Sequence, residues 1–589
     1  MKVFEANITL KVSKFLNEIL KPISSFENAN QKMYDAFGIL HFFESNEELE
    51  RLKEVISETE DLVNEPDRAE YGDFQTNIEL ASNAALYLKS KNISPEIVIE
   101  PTCGKGNFII ASLKTFKKIN NVVGVEIYKP YVWETKFNII EFYLNNPQNN
   151  KPDISIHHCN VFDFDFREIA RSYSKNKILI IGNPPWVTNS KLGILNSDNL
   201  PQKSNFKKHS GLDAMTGKGN FDIAEFITLM MIKNFELSNG DLFLLIKNSV
   251  IKNLLYDQNK NKYRIGANEK LCIDSKKEFG VSVEASLFYS KLNSSPEVTC
   301  KEFNFYSPNI PTLTFGWLRD KFVSNIEAYV ATKEIDGICP FVWRQGLKHD
   351  CSKVMELEKE NGYYLNGLKE KTLLENEMVY GLLKSSDLKN NVIYRPRKYT
   401  IVTQKKVGQE TKEIKFNYPK TYQYLINHLK YFEARKSSIY RNKPLFSIFG
   451  IGDYSFKPFK VAISGLYKTF HFTLVLPQND KPIMLDDTCY LLGFSKIEYA
   501  VYTLILLNSH KTKQFLKSIT FSDAKRVFTK DVLMRIDLYN LARNTNQKEL
   551  QADLDKLNIK YDFDLSLNKW DDFIDKLKPL KNSQIELFQ

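Results

Sequence analysis

The chain is 589 residues long, 43% hydrophobic and 26% charged, with a formal net charge of +10; this suits a folded globular protein too long for one core, and about two to four domains are expected. No run reaches the roughly 18 apolar residues of a membrane-spanning helix, and the first residues lack the basic-then-apolar plan of a signal peptide, so the expected compartment is the cytoplasm. Seven scattered cysteines without a Cys-x-x-Cys pair support neither a disulfide framework nor a zinc site, and no metal is expected.

Residues 1–65 read as a helical N-terminal segment, with Phe15, Leu16, Ile19, Leu20, Leu49, Leu52, Val55 and Ile56 at helical spacing. A turn at Gly72-Asp73 leads to Thr76, the expected N-cap of a helix through Ile78, Leu80, Ala81, Ala84, Ala85, Leu86 and Leu88. Ile97-Val98-Ile99-Glu100 then reads as a strand. Pro101-Thr102-Cys103-Gly104-Lys105-Gly106-Asn107-Phe108 follows, opening a helix to about Lys118. An acidic strand end before a Gly-x-Gly turn lets a ligand approach the backbone closely. Val122-Val123-Gly124-Val125-Glu126 reads as a second strand, one βαβ unit later, and an acid at its end is where such folds hold ribose hydroxyls. A third glycine at dinucleotide-site spacing is missing.

A helix over roughly 131–144 precedes a third strand, from Ile154 to Asn160, and a fourth, from Ile178 to Gly182. The fourth stops at Asn183-Pro184-Pro185-Trp186, because neither proline can donate to a ladder. An amide, a carbonyl and a large aromatic are left at the strand end. They suit a planar polar substrate: Asn183 and a nearby carbonyl accept hydrogen bonds from an amine, and Trp186 stacks on the ring. A plain proline turn with an aromatic plug is the alternative, open at this point. A polar stretch over 187–220 leads to a helix over 221–238, a strand from Leu242 to Ile246, and two β segments, 281–290 and 297–305, expected to form a closing hairpin. Strands alternating with helices predict an α/β fold with a doubly wound, Rossmann-like sheet. Gly104, Glu126, Asn160 and Asn183 all fall at the carboxyl ends of its strands, where such sheets bind ligands.

Beyond about 310 short β runs mix with helices in a second, C-terminal mixed α/β domain reaching about 540. From Lys384 to Phe470 it carries 18 Lys and Arg against 5 Asp and Glu. A concentrated basic region rich in aromatics is the footprint of a nucleic-acid binder, or else a solvated basic face with no partner. The run from Phe446 to Lys460 alternates aromatics with Gly and Lys, suited to phosphate and base contacts; a β-rich core is the competing reading. The tail, 541–589, reads as helical and packs back on the body through Leu550, Leu554, Leu557, Trp570, Phe573 and Leu577.

Together these segments resemble the S-adenosylmethionine-dependent DNA adenine-N6 methyltransferases of restriction–modification type. Gly72-Asp73-Phe74-Gln75-Thr76 looks like their N-terminal cofactor motif. Glu100 to Phe108 looks like their Asp-Pro-x-Cys-Gly-x-Gly-x-Phe motif, and Asn183-Pro184-Pro185-Trp186 like their catalytic motif. The order, with a target-recognition domain last, is that of the gamma class. Glu100 stands for the commoner Asp, Asn77 for Pro, and Asn160 for Asp. The resemblance makes 66–308 the methyltransferase domain and 309–540 the DNA target-recognition domain, where Leu507-Asn508-Ser509 also looks like the family. It implies S-adenosylmethionine held by Tyr71, Thr76, Glu100, Pro101, Cys103, Gly104, Gly106, Glu126 and Asn160, and catalysis by Asn183, Pro184, Pro185 and Trp186 on a base flipped out of duplex DNA. Phe279 is expected as the opposite wall of the base slot, and Lys457, Lys460, Lys468, Arg395 and Arg397 on DNA. A cognate restriction endonuclease is the expected protein partner. Cytosine-C5 chemistry is set aside, because it needs a thiolate, usually in a Pro-Cys dipeptide, and the chain has none. Cytosine-N4 transfer, an RNA or protein-glutamine methyltransferase, and an inactive DNA-binding specificity subunit remain open readings.

Overall fold

A computed structural model describes residues 6–57, 75–187, 222–521 and 526–578. The chain divides into two compact units, Met1–Phe322 and Val323–Gln589. The division falls later than the boundary read at 308, because two further strands continue the first sheet. Among the described residues no helix is long and apolar enough to cross a membrane.

The first unit opens with α1 (Leu10–Leu20) and α2 (Phe26–Phe37), capped by the Thr9 and Ser25 hydroxyls. Next come a short β1 (Ile39–Leu40) and α3 (Asn46–Ser57). The doubly wound part follows: α4 (Ile78–Ser90), β2 (Ile97–Glu100), α5 (Asn107–Thr115), β3 (Asn121–Glu126), α6 (Lys129–Asn145), β4 (Asp153–His158), α7 (Phe166–Ser172), β5 (Ile178–Gly182), α8 (Ile223–Phe235) and β6 (Gly240–Lys247). It ends with α9 (Asn248–Asn261), β7 (Ile265–Cys272), α10 (Ser275–Phe279), β8 (Ala285–Leu292), β9 (Thr299–Asn304), β10 (Leu313–Leu318) and β11 (Lys321–Val323).

One 11-stranded sheet takes the order β1-β4-β3-β2-β5-β6-β8-β7-β9-β10-β11. Its first six strands are parallel. Every residue of β2 and β5 is buried, which is why these segments are continuous apolar runs rather than alternating ones. The chain winds from β2 to β3 on one side and returns to β5 on the other. The loops after β2 and β5 therefore part at that point and leave a crevice at the strands' carboxyl ends.

Three local expectations change. The N-cap of α4 is Asn77, whose side chain accepts from Leu80 N at 2.7 Å; Thr76 is one residue upstream. The expected hairpin of 281–290 and 297–305 does not form. β8 runs antiparallel between β6 and β7, and β9 pairs in parallel with β7. The intervening strand, Ile265-Gly266-Ala267-Asn268-Glu269-Lys270-Leu271-Cys272, is too polar to announce itself by periodicity. Lastly, β1 extends the sheet from within the helical N-terminal segment. Lys136 of α6 anchors that segment: its buried ammonium donates to Phe42 O at 2.8 Å and lies over the Trp133 ring at 5.0 Å. Burial lowers its pKa to about 8.

The second unit holds a five-stranded sheet, in the order Arg344–Gln345, Cys489–Phe494, Phe459–Ser464, Thr473–Val475, Val392–Ile393, and a six-stranded one. Phe446, Ile448 and partly buried Phe456 belong to its larger core, so these side chains of the 446–460 run build structure rather than face a nucleic acid. Asn508 exchanges two hydrogen bonds with the Phe472 backbone, at 2.8 and 3.0 Å. Trp570 and Phe573 of the tail pack against Tyr502 and Tyr499 of the helix Ile497–Asn508.

Candidate active site

A cleft lies at the carboxyl ends of β2, β3 and β5, the place where doubly wound sheets bind ligands. After β2 the chain turns sharply, and Cys103 N donates to Val125 O at 2.9 Å. Gly104 has a φ of +52°, and a Cβ there would lie 2.5 Å from Gln75 Oε1; Gly106 has a φ of +78°, and a Cβ there would lie 2.7 Å from Thr135 Cγ2. Both positions thus favour glycine by conformation, and Gly106 by space as well, since the Gln75 side-chain end beside Gly104 can shift. The turn is held from three sides. Gly104 N donates to Glu126 Oε2 at 2.8 Å, the Thr135 hydroxyl donates to Gly104 O at 2.7 Å, and Asn138 Nδ2 donates to Lys105 O at 2.9 Å.

Of the residues expected at the cofactor, Thr76, Glu100, Pro101, Cys103, Gly104 and Glu126 line this cleft, together with Asn183, Pro184 and Pro185. Tyr71 lies outside the described residues. Gly106 caps α5 behind the turn. Asn160 is not on the cleft wall: its Oδ1 accepts from Phe162 N at 3.1 Å, closing a local turn, and Cys159 and Val161 supply the wall instead. Asn107, Thr135 and Asn138 were missed by sequence reading. Asn107 Nδ2 donates to Thr76 O at 2.7 Å. The only signal for Thr135 and Asn138 is a pair of polar residues, three apart, on a helix otherwise buried nearly all round.

Glu100 is 2% exposed, and its Oε2 has no hydrogen-bond partner among the described residues. Burial pushes its carboxyl well above the usual carboxylate range; the Ile109 amide counters this in part, and the Glu126 charge adds to it. A buried carboxyl with one oxygen unpartnered at a cleft wall is an environment that a cation satisfies.

Asn183 leaves β5 with its Nδ2 3.2 Å from the Thr76 hydroxyl oxygen. Trp186 does not line the cleft. Its indole N–H donates to Leu245 O at 3.4 Å, and its ring meets Phe279 edge to face, with centroids 5.2 Å apart and planes at 67°. A planar ring stacked between two others needs them parallel and roughly 7 Å apart, two contacts of about 3.5 Å, so no ring fits between Trp186 and Phe279 in this conformation. Lys247, at the end of β6, donates to Trp186 O at 2.9 Å and pairs with Asp222, the N-cap of α8.

No family model matches the chain. Over 484 residues it is 39% identical to the Type II methyltransferase M.NspV of Nostoc sp. (strain ATCC 29411 / PCC 7524), an alignment covering 81% of this chain and 98% of the relative. The chain belongs to the Type II methyltransferases. Among solved structures, the Type IIL restriction-modification enzyme MmeI in complex with DNA is similar with a TM-score of 0.52 at 12% identity, covering 92% of this chain and 83% of that one; at that identity the likeness is one of fold. As a member of this restriction–modification methyltransferase family, the chain uses S-adenosylmethionine as its cofactor. A cationic ligand fits the Glu100 carboxyl, whose Oε2 has no hydrogen-bond partner among the described residues, and the glycine turn leaves its backbone open to a ligand.

The residues expected on DNA divide by exposure. Lys457, Lys468, Arg395 and Arg397 are exposed, Arg397 pairing with Asp387 at 3.3 Å. Lys460 is a correction: it is 1% exposed, and its ammonium donates inward to Lys457 O at 2.8 Å. It sits opposite Gly493 in the register of its strand, facing the interior, and burial lowers its pKa to about 7. Others in the basic region are also structural. Lys384 and Lys398 pair with Glu356 at 2.6 and 3.4 Å, and Arg435 lies 3.8 Å above the Tyr440 ring. Exposed basic side chains concentrate instead over 405–443, at Lys405, Lys406, Lys412, Lys415, Lys420, Lys430, Lys436, Arg441 and Lys443.

Proposed function

We propose that this Type II methyltransferase transfers a methyl group to the exocyclic N6 of adenine in duplex DNA, as the modification enzyme of a restriction–modification system with a cognate endonuclease. One observation carries the reading: a single cleft is bounded by the glycine turn and acidic strand ends on one side and by Asn183-Pro184-Pro185 on the other. When bound, S-adenosylmethionine supplies an electrophilic methyl on a sulfonium. Glu126, the acid that ends β3 on the cleft wall, accepts ribose hydroxyls, as an acid at that strand end does in such folds. Glu100 faces the cationic part.

An aromatic amine is a weak nucleophile, because its lone pair is delocalised into the ring. Asn183 Oδ1 and the Pro184 carbonyl accept its two hydrogens, favour a pyramidal nitrogen and stabilise the positive charge that grows during transfer. No strong base is needed before attack; the extra proton passes from the cationic nitrogen to water afterwards. Trp186 stacks on a flipped adenine once it parts from Phe279, with Phe279 as the opposite wall. Mass spectrometry of nucleosides from duplex DNA incubated with the chain and cofactor is expected to reveal N6-methyladenine. N4-methylcytosine in its place overturns the base assignment, and methylated RNA or protein without methylated DNA overturns the polymer.

The DNA footprint follows from the exposed basic side chains, with Lys457, Lys468, Arg395 and Arg397 included. Each phosphate that is no longer neutralised lowers the slope of log affinity against log salt by about 0.9. Neutralising Lys405, Lys406 and Lys412 together is expected to reduce that slope measurably, whereas Lys460→Met leaves it unchanged. Fluorescence anisotropy across a salt series reads both, and equal slopes in all three proteins remove 405–443 from the interface.

A further inference from the structure

Gln75, Thr76 and Asn77 are consecutive, and each holds a different element. Gln75 Oε1 accepts from Lys105 N at 3.2 Å, in the glycine turn. Thr76 Oγ1 accepts from Asn183 Nδ2 at 3.2 Å, at the end of β5. Asn77 Nδ2 donates to Glu278 Oε2 at 3.0 Å, on α10 beside Phe279. The Thr76 backbone is pinned as well, by Asn107 Nδ2 on its carbonyl at 2.7 Å. The hydroxyl of Thr76, a residue 5% exposed, is therefore held at one place relative to the amide.

A carboxamide has two ends of nearly the same shape and opposite polarity. Only the oxygen end can accept the hydrogens of an acceptor amine. A half-turn about Cβ–Cγ would present the NH2 end, whose hydrogens oppose those of the amine. We propose that Thr76 is a positioning residue for the catalytic amide: by accepting from Nδ2 it turns Oδ1 of Asn183 toward the acceptor amine. This rests on the proposed role of Asn183 in transfer. A hydroxyl also donates, so it selects Nδ2 only when its own hydrogen is engaged elsewhere. Thr76 lines the cleft, where S-adenosylmethionine brings carboxylate and hydroxyl oxygens that can take that hydrogen. Thr76 thus makes the orientation of the catalytic amide depend on a loaded cofactor site.

Three measurements on the full chain test this in Thr76→Val, which keeps the shape and loses the hydroxyl, and in Thr76→Ser, which keeps the hydroxyl. They are cofactor affinity by calorimetry, transfer rate at saturating cofactor and DNA, and the Asn183 side-chain amide resonance of 15N-asparagine protein, assigned by its loss in Asn183→Ala. Thr76→Val is expected to lose about 10- to 100-fold in rate, the scale of a misplaced catalytic group, and to shift the resonance; Thr76→Ser stays within about threefold with the resonance in place. Adding cofactor is expected to move that resonance in wild type and not in Thr76→Val. A full rate in Thr76→Val at saturating cofactor overturns the proposal, since Thr76 is then at most a cofactor ligand. If Thr76→Val does not fold, Thr76→Ala carries the same comparison. Should wild type transfer no methyl to DNA, the proposed function fails separately, and an unshifted resonance in the Val or Ala variant overturns the Thr76–Asn183 bond.

Discussion

Asn183→Ala is expected to lower methyl transfer by about 10²- to 10³-fold, the usual cost of removing one preorganised group that stabilises transition-state charge, while cofactor affinity stays within about threefold. The argument is positional. Asn183 follows β5, whereas the glycine turn follows β2 and Glu126 ends β3. Removing the Asn183 side chain breaks its bond to Thr76 but leaves the Gly104–Glu126–Thr135 arrangement intact. Calorimetry with the cofactor and labelled-methyl transfer to DNA separate the two quantities. Cofactor binding that falls in parallel with transfer would make Asn183 a cofactor or structural residue, and the amine-holding role would fall.

Glu100→Gln is expected to move stability and cofactor binding in opposite directions. The wild-type carboxyl is buried, with one oxygen unpartnered among the described residues, and its pKa is raised by burial. A carboxyl whose pKa is higher folded than unfolded favours the fold below the ordinary carboxylate pKa of about 4.3. That contribution is lost as pH rises through the raised value, where the charge must be carried without water. The neutral amide has no such charge. The melting temperature of Glu100→Gln is therefore expected to exceed that of wild type by a margin that widens as pH rises through that window. Cofactor affinity is expected to fall by about tenfold or more, one charge-assisted contact being worth roughly 1.5–3 kcal/mol. Binding of a cation ionises the wild-type carboxyl, so calorimetry in buffers of different ionisation enthalpy should detect proton release that Glu100→Gln lacks. Equal proton release in both proteins would assign the cation elsewhere.

The Glu100 case shows how an acid at a strand end is legible from sequence while its electrostatic state is not. The pattern Ile97-Val98-Ile99-Glu100-Pro101 marks a buried strand and its stop, which are local properties of the chain. Whether the carboxyl meets water, a base or nothing depends on what packs over it, here Gly182 after a return crossing of the sheet; a Cβ at Gly182 would approach Glu100 Cγ to 3.2 Å. Lys460 makes the same point with the opposite charge. A lysine among aromatics reads as a phosphate contact, yet the strand register turns it inward opposite Gly493. Asn160 and Trp186 were placed at the right strand ends, but local turns and packing engage Asn160 Oδ1 and the Trp186 indole within the protein.

By itself the sequence determined the strand cores, the glycine turn, the proline stop after β5 and the order of these motifs, because apolar runs, glycines with positive φ and prolines act through neighbouring residues. The tertiary structure alone decided that β7 enters the sheet between β8 and β9, that Asn77 rather than Thr76 caps α4, and that Thr76 reaches Asn183, 107 residues away. Such pairings bring together groups far apart in the chain, and their energies depend on burial and on the partner opposite, which no local pattern encodes.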